Sequence, residues 1–247
     1  MTVVFSAASE RLVLMAADSA VSLDFEHGRE YETGRKLYYV DGVGCVSTWG
    51  ARNANDIGKY LREAWATPGA RTVDDLARGV HAWLVENYQP DVMGLGDVGY
   101  HTAGFLPSGR PALYHSFWNV PGDATSLGSY TFQMIGPKGS ITQFLYNGRN
   151  DIAQRVIEAL LSEVRAGKET HFSPRSPGGI LYLAHLVLRF AAELTPEVGP
   201  PFVVRAIAPD GRTASRRLEV TPVPSLAECD EWCNALFDSP QVCEGDV

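Results

Sequence analysis

Two short apolar runs, 2–8 (TVVFSAA) and 12–18 (LVLMAAD), flank the polar triplet Ser9-Glu10-Arg11. Runs of this length, rich in Val and Leu and bounded by turn residues, predict a hairpin whose strands are buried on both faces. A polar connection follows over 19–34. Strands are predicted next at 36–40 and 43–48, joined by Asp41-Gly42, a dipeptide that favours tight hairpin turns. After Gly50 the period changes. Asn53 or Asn55 can cap a helix that puts Ile57, Tyr60, Leu61, Ala64 and Trp65 on one face, and Pro68-Gly69 ends it. Thr72 opens a second helix with Asp74 and Asp75 in its first turn, where the helix dipole favours acids. Its buried stripe is Val73, Leu76, Val80, Trp83, Leu84 and Tyr88.

Strands return at 98–106, 111–118 and 129–135, the first two joined across Pro107–Pro111. Two amphipathic helices are predicted over about 151–165 and 179–194, then a hairpin of 202–208 and 213–220 turning at Pro209-Asp210-Gly211. The order is thus strands, two helices, strands, two helices, hairpin. That does not fit an alternating β-α doubly wound sheet. It predicts an α+β fold, a four-layer αββα sandwich of two antiparallel sheets flanked by helix pairs. The domain is expected to span 1–221, with 222–247 as an acidic C-terminal surface extension.

Composition narrows the function classes. With 247 residues the chain suits one large domain, and 45% hydrophobic with 20% charged residues is ordinary for a globular protein. A net charge of −8 without any basic run excludes a nucleic-acid partner, which would need cations to displace phosphate counterions. Glu10, Arg11 and Asp18 interrupt the apolar N-terminal stretch, so neither a secretory signal nor a membrane span is expected, and the chain is placed in the cytoplasm. Cys45 reads as a small buried hydrophobe within a strand. Cys229, Cys233 and Cys243 lack a nearby histidine to complete a zinc site and read as unpaired structural thiols in preference to a redox pair. His81, His101, His115, His171 and His185 show no ligand spacing. No metal and no cofactor is expected.

The element order, with the residues at 2, 18, 36 and 50, resembles the proteasome β-subunit and its bacterial HslV-type relatives among the N-terminal-nucleophile (Ntn) hydrolases. In that family a mature N-terminal Thr starts the first strand and an Asp ends the second. Here Ala16-Ala17-Asp18-Ser19 puts Asp18 sixteen residues after Thr2. The family's Lys at the start of the third strand is matched by Arg35-Lys36-Leu37, and its Gly at the end of the fourth by Gly50, fourteen residues past Lys36. Two landmarks depart from the pattern. Pro137 stands near the place of a supporting Ser, and the loop 195–200 offers Thr195 or Glu197 where the family has an Asp and a Ser.

The resemblance implies a threonine peptidase. Once Met1 is removed, the α-amine of Thr2, with a pKa near 8, would be the base for its own hydroxyl. Lys36 would lower the pKa of that pair by its charge, Asp18 would orient Lys36, and the Gly50 N–H would donate to the tetrahedral oxyanion, where a side chain would obstruct approach. Val21, Thr48 and Arg52 fall near positions lining the first substrate pocket, and Arg52 would favour an acidic side chain before the scissile bond. The implied partners are a peptide or protein substrate, further copies of the chain in a homo-oligomer and a separate ATPase unfoldase, since no nucleotide-binding motif is present here. Two other readings fit the same residues: a non-catalytic subunit on the same fold, and an amidohydrolase acting on a small amide.

Overall fold

A computed structural model describes residues 2–25, 28–50, 57–65, 71–88, 97–119, 129–135, 143–147, 154, 155, 158, 162, 166, 176–219 and 221–238. Strands β1 (Val4–Ala8) and β2 (Val13–Ala17) form the expected hairpin, in register from Val4 opposite Ala17 to Ala8 opposite Val13, and every residue of both is buried. A tight polar turn makes this possible. Ser9 Oγ accepts from the Leu12 N–H at 3.0 Å and donates to the Leu12 carbonyl, so the turn satisfies its own polar groups.

The 19–34 connection contains a two-stranded sheet that its polarity concealed, β3 (Ala20–Phe25) against β4 (Gly28–Thr33). Then come β5 (Leu37–Val40) and β6 (Gly44–Gly50), turning at Asp41-Gly42 with Gly42 at φ 66°, a conformation glycine adopts without a Cβ penalty. Helix α1 spans Ile57–Trp65, whereas the residues proposed to cap it, Asn53 and Asn55, lie outside the described residues. Helix α2 (Val73–Asn87) starts with a full capping box. The Thr72 side chain accepts from Asp75 N–H, and the Asp75 carboxylate accepts from Thr72 N–H at 2.8 Å.

Strands β7 (Val98–Phe105), β8 (Pro111–Asn119) and β9 (Ser129–Ile135) follow, then β10 (Gln143–Asn147), which the sequence pattern did not reveal. The helix expected over 151–165 falls largely outside the described residues. Helix α3 (Pro177–Leu194) is capped by Ser176, and β11 (Phe202–Ile207) with β12 (Thr213–Leu218) makes the last hairpin.

Two five-stranded antiparallel sheets result, ordered β10-β1-β2-β11-β12 and β5-β6-β7-β8-β9. Between them Ala8, Val13, Met15 and Ile207 of the first sheet meet Leu37, Tyr39, Cys45, Ala103 and Leu113 of the second. Helices cover the outer faces. Leu76, Val80 and Leu84 of α2, with Ile57 and Leu61 of α1, pack on Tyr38, Val46 and Tyr100, while Ile180, Leu181 and Leu188 of α3 pack on Phe5, Leu14 and Val204. The four-layer αββα sandwich is the observed fold.

Residues 222–247 were expected to form a surface extension, but Leu226–Asp238 is a helix, α4, that packs in the same core cluster as α3. Cys229 and Cys233, four apart on its inner face, are each 1% exposed. Among the described residues no helix is long and apolar enough to cross a membrane.

Two buried histidines set an acid limit on stability. His115 and His185 are 6% and 2% exposed, and burial pushes each imidazole down to about 4. A depressed pKa contributes stability present above the unfolded value near 6.5 and lost as pH falls through about 4. Each site therefore forfeits about 3 kcal/mol over that window. Urea unfolding at pH 7, 6, 5 and 4.5 should show stability falling throughout, and His115→Leu should reduce the slope by roughly half. Equal stability at pH 7 and 5 would contradict this.

Candidate active site

The site forms where β2 and β6 end and β5 and β11 begin. Asp18 follows directly on β2 and is fully buried; Lys36 directly precedes β5 and is 4% exposed. Lys36 Nζ donates to Asp18 Oδ1 at 3.0 Å and to Oδ2 at 2.9 Å, and also to the Ala20 carbonyl. The remaining capacity of the carboxylate is used by the backbone. Val3 N–H donates to Oδ1 at 2.8 Å and Ala20 N–H to Oδ2 at 3.2 Å. Such extra hydrogen bonds are what a buried ion pair needs to offset the desolvation of both charges.

Burial pushes the Asp18 carboxyl up and the Lys36 ammonium down, while their mutual attraction and hydrogen bonds oppose both shifts. Titratable pairs displaced toward neutrality by burial are characteristic of sites that handle protons.

The Val3 nitrogen is the peptide nitrogen bonded to the Thr2 carbonyl carbon, so its bond to Asp18 fixes Thr2 one residue from the ion pair. Val3 and Asp18 are joined a second time, through Asp18 N–H to the Val3 carbonyl at 3.3 Å. Thr2 itself is half-buried. No hydrogen bond of the described residues joins Lys36 Nζ to Thr2; its three acceptors are the two Asp18 oxygens and the Ala20 carbonyl. The structure thus brings Asp18 and Lys36 together with the backbone leading to Thr2.

Gly50 closes β6 at this end, because Thr48 N–H donates to the Lys36 carbonyl at 2.9 Å and so aligns the strand beside Lys36. Glycine is required here for a reason other than substrate access. Its φ is 93°, and a Cβ would lie 2.1 Å from the Asp97 carbonyl oxygen. Gly50→Ala should lose about 2 kcal/mol or more from backbone strain, measurable by chemical denaturation. An unchanged midpoint would show that the strand end yields without cost.

The proposed substrate residues are placed unevenly. Thr48 is 2% exposed, with its hydroxyl lacking a hydrogen-bond partner among the described residues. Val21 lies on β3 opposite Glu32 of β4. Arg52 and Pro137 lie outside the described residues. The loop after α3 does approach the site: Gly199 accepts from Ser19 N–H at 3.2 Å, next to Asp18. Within that loop Thr195 is 8% exposed and its side chain accepts from Glu197 N–H at 3.3 Å, a local turn bond. Among the described residues no three of His, Cys, Asp and Glu are grouped to hold a metal ion.

Sequence reasoning overlooked the contribution of Ala20, whose N–H and carbonyl both hold the pair. Only its place two residues after Asp18 could have pointed to it. Arg205 and Arg217 were overlooked as well, and they line a cavity beside Lys36.

The fold can be set beside those of solved structures. Solved structures similar to the chain include Anbu proteins. An Anbu (Gly-1) mutant from Hyphomicrobium sp. strain MC1 superposes with TM-score 0.62 at 14% identity, covering 100% of both chains. The chain of the helical assembly of the Anbu complex from Pseudomonas aeruginosa gives 0.60 at 16% identity, covering 97% of this chain and 98% of that one. Anbu (ancestral beta-subunit) from Yersinia bercovieri gives 0.59 at 13% identity, covering 99% and 100%. No family model and no curated protein matches. The HslV-type identification drawn from the sequence is therefore corrected: the structural likeness is to ancestral beta-subunit proteins, and at these identities it establishes the fold. The four landmark residues did not distinguish a likeness to HslV-type proteins from one to Anbu proteins.

Proposed function

We propose that the chain is a threonine-type peptidase with an N-terminal nucleophile, Thr2, working within an oligomeric assembly. The observation that carries this reading is the buried Asp18–Lys36 pair, whose carboxylate also accepts from Val3 N–H and so anchors the chain one residue from Thr2. A buried lysine beside the N-terminal strand has a chemical use there: its charge favours deprotonation of a neighbouring amine and hydroxyl.

The steps follow from the residues. Removal of Met1 frees the Thr2 α-amine. The amine takes the hydroxyl proton, the oxygen attacks the peptide carbonyl, and the C–N bond breaks as the proton passes to the leaving amine. Water, deprotonated by the same amine, then attacks the Thr2 ester; the C–O bond to Thr2 breaks, the amine returns the proton to the Thr2 oxygen and the acid is released. A backbone N–H at Gly50 would stabilise the oxyanion in both steps.

Assembly is proposed from the neighbours, one of which is described as a helical assembly. Intact mass and size-exclusion chromatography test the reading together with hydrolysis of fluorogenic peptides. The expected result is a chain beginning at Thr2 that elutes as a large assembly and cleaves them. Retention of Met1 would favour a non-catalytic subunit. An active monomer that cleaves only small amides would favour an amidohydrolase.

A further inference from the structure

At the same end of the sandwich, on the side of the ion pair where β11 and β12 lie, is a cavity of about 250 Å³. Its described lining includes Arg35, Lys36, Arg205, Ser215 and Arg217, with Asp18 as its one carboxylate. Asp18 is already engaged by Lys36 and by two backbone N–H groups. Four of its described lining residues are thus Lys or Arg, in a chain whose net charge is −8.

The sheet register explains why both arginines line it. Arg205 of β11 lies opposite Ser215 of β12, and Val203 lies opposite Arg217. Directly paired residues share a face, as do residues two apart, so Arg205 and Arg217 are diagonal neighbours on one face. On β11 that face is also the face of Ile207, which packs between the sheets. Arg205 is 8% exposed, Arg217 is exposed, and Arg35 approaches from the start of β5. Diagonal side chains on adjacent strands are within reach of each other, at roughly 7–8 Å. An oxyanion between two guanidiniums receives charge-assisted, fork-shaped hydrogen bonds.

We propose that this cavity binds a small oxyanion, a carboxylate or phosphate group, between Arg205 and Arg217 with Arg35 at the rim. The site needs no catalysis by Thr2. It adjoins Lys36, and a bound anion would favour the charged form of the ammonium.

Calorimetric titration of the full chain with inorganic phosphate and, separately, with glutarate tests the proposal, with chloride holding ionic strength constant. Saturable binding of at least one anion is expected, with Kd on the order of 1 mM or tighter. Stronger phosphate binding would identify a phosphate site, and stronger glutarate binding a carboxylate site. Arg217→Gln, an exposed change compatible with folding, should weaken binding roughly tenfold. Arg110→Gln, on the exposed β7–β8 turn, should not weaken it. Thr2→Ala should bind as the wild type does, so an inactive Thr2 would leave this result unaffected. The proposal is overturned if neither anion saturates, if Arg217→Gln binds normally, or if Arg110→Gln weakens binding equally.

Discussion

Lys36→Met is expected to lower the unfolding free energy by about 3 kcal/mol at pH 7, because removing one partner strands the other charge in the interior. Asp18 is fully buried, and without Lys36 its carboxylate keeps only the N–H groups of Val3 and Ala20. Those two bonds place the cost at the lower end of what breaking a buried pair exacts. The loss should depend on pH in a defined sense. Burial already holds the Asp18 carboxyl above its ordinary value, and removing the cation raises it further. A raised carboxyl contributes stability below its unfolded pKa near 3.9 and loses it as pH rises through the folded value, so the deficit should shrink in acid. A double variant, Asp18→Leu with Lys36→Met, should recover much of the stability, since apolar replacements of a buried pair are often neutral. Denaturant titration of the three variants decides it. A single variant as stable as wild type would mean that the pair is not held as the structure shows.

Thr2→Ala should reduce peptide hydrolysis by at least about a thousandfold, the scale on which a covalent nucleophile acts. Thr2 is half-buried and precedes the first strand, so stability should change by no more than roughly 0.5 kcal/mol. That separation makes the variant informative: a folded, assembled and inactive chain points to chemistry. Thr2→Ser retains a hydroxyl on the same carbon and should keep measurable turnover. In the wild type, kcat/KM should rise with pH as the α-amine loses its proton, with an apparent pKa near 8 or below it because of the Lys36 charge. Full activity in Thr2→Ala would remove the nucleophile assignment.

Much of this fold is legible in the sequence wherever local signals agree. Thr72 and Asp75 mark a helix start three residues apart, and Asp41-Gly42 marks a hairpin between two β-rich runs. The β3–β4 hairpin was concealed because GREYET carries too many charged residues to alternate like a half-buried strand. Strand β10 escaped for another reason: it joins the sheet by pairing with β1, more than a hundred residues earlier, so its identity is set by a long-range partner. In the segment after 222 the acidic, Pro-containing composition suggested a surface extension, and no local feature declared that α4 docks on the core.

The site divides in the same way. Asp18 and Lys36 were found through a spaced pattern of residues, and the structure joins them. Arg205 and Arg217 stand on two strands of a hairpin, where no local motif singles them out; only the register of Val203 with Arg217 puts them on one face.

The most direct measurement is tandem mass spectrometry of the wild-type chain after treatment with a peptide epoxyketone, which reacts with both a hydroxyl and a free α-amine on one residue. The account predicts a chain that has lost Met1 and carries a single adduct on Thr2, absent in Thr2→Ala. An unmodified Thr2, or an adduct elsewhere that persists in Thr2→Ala, would contradict it.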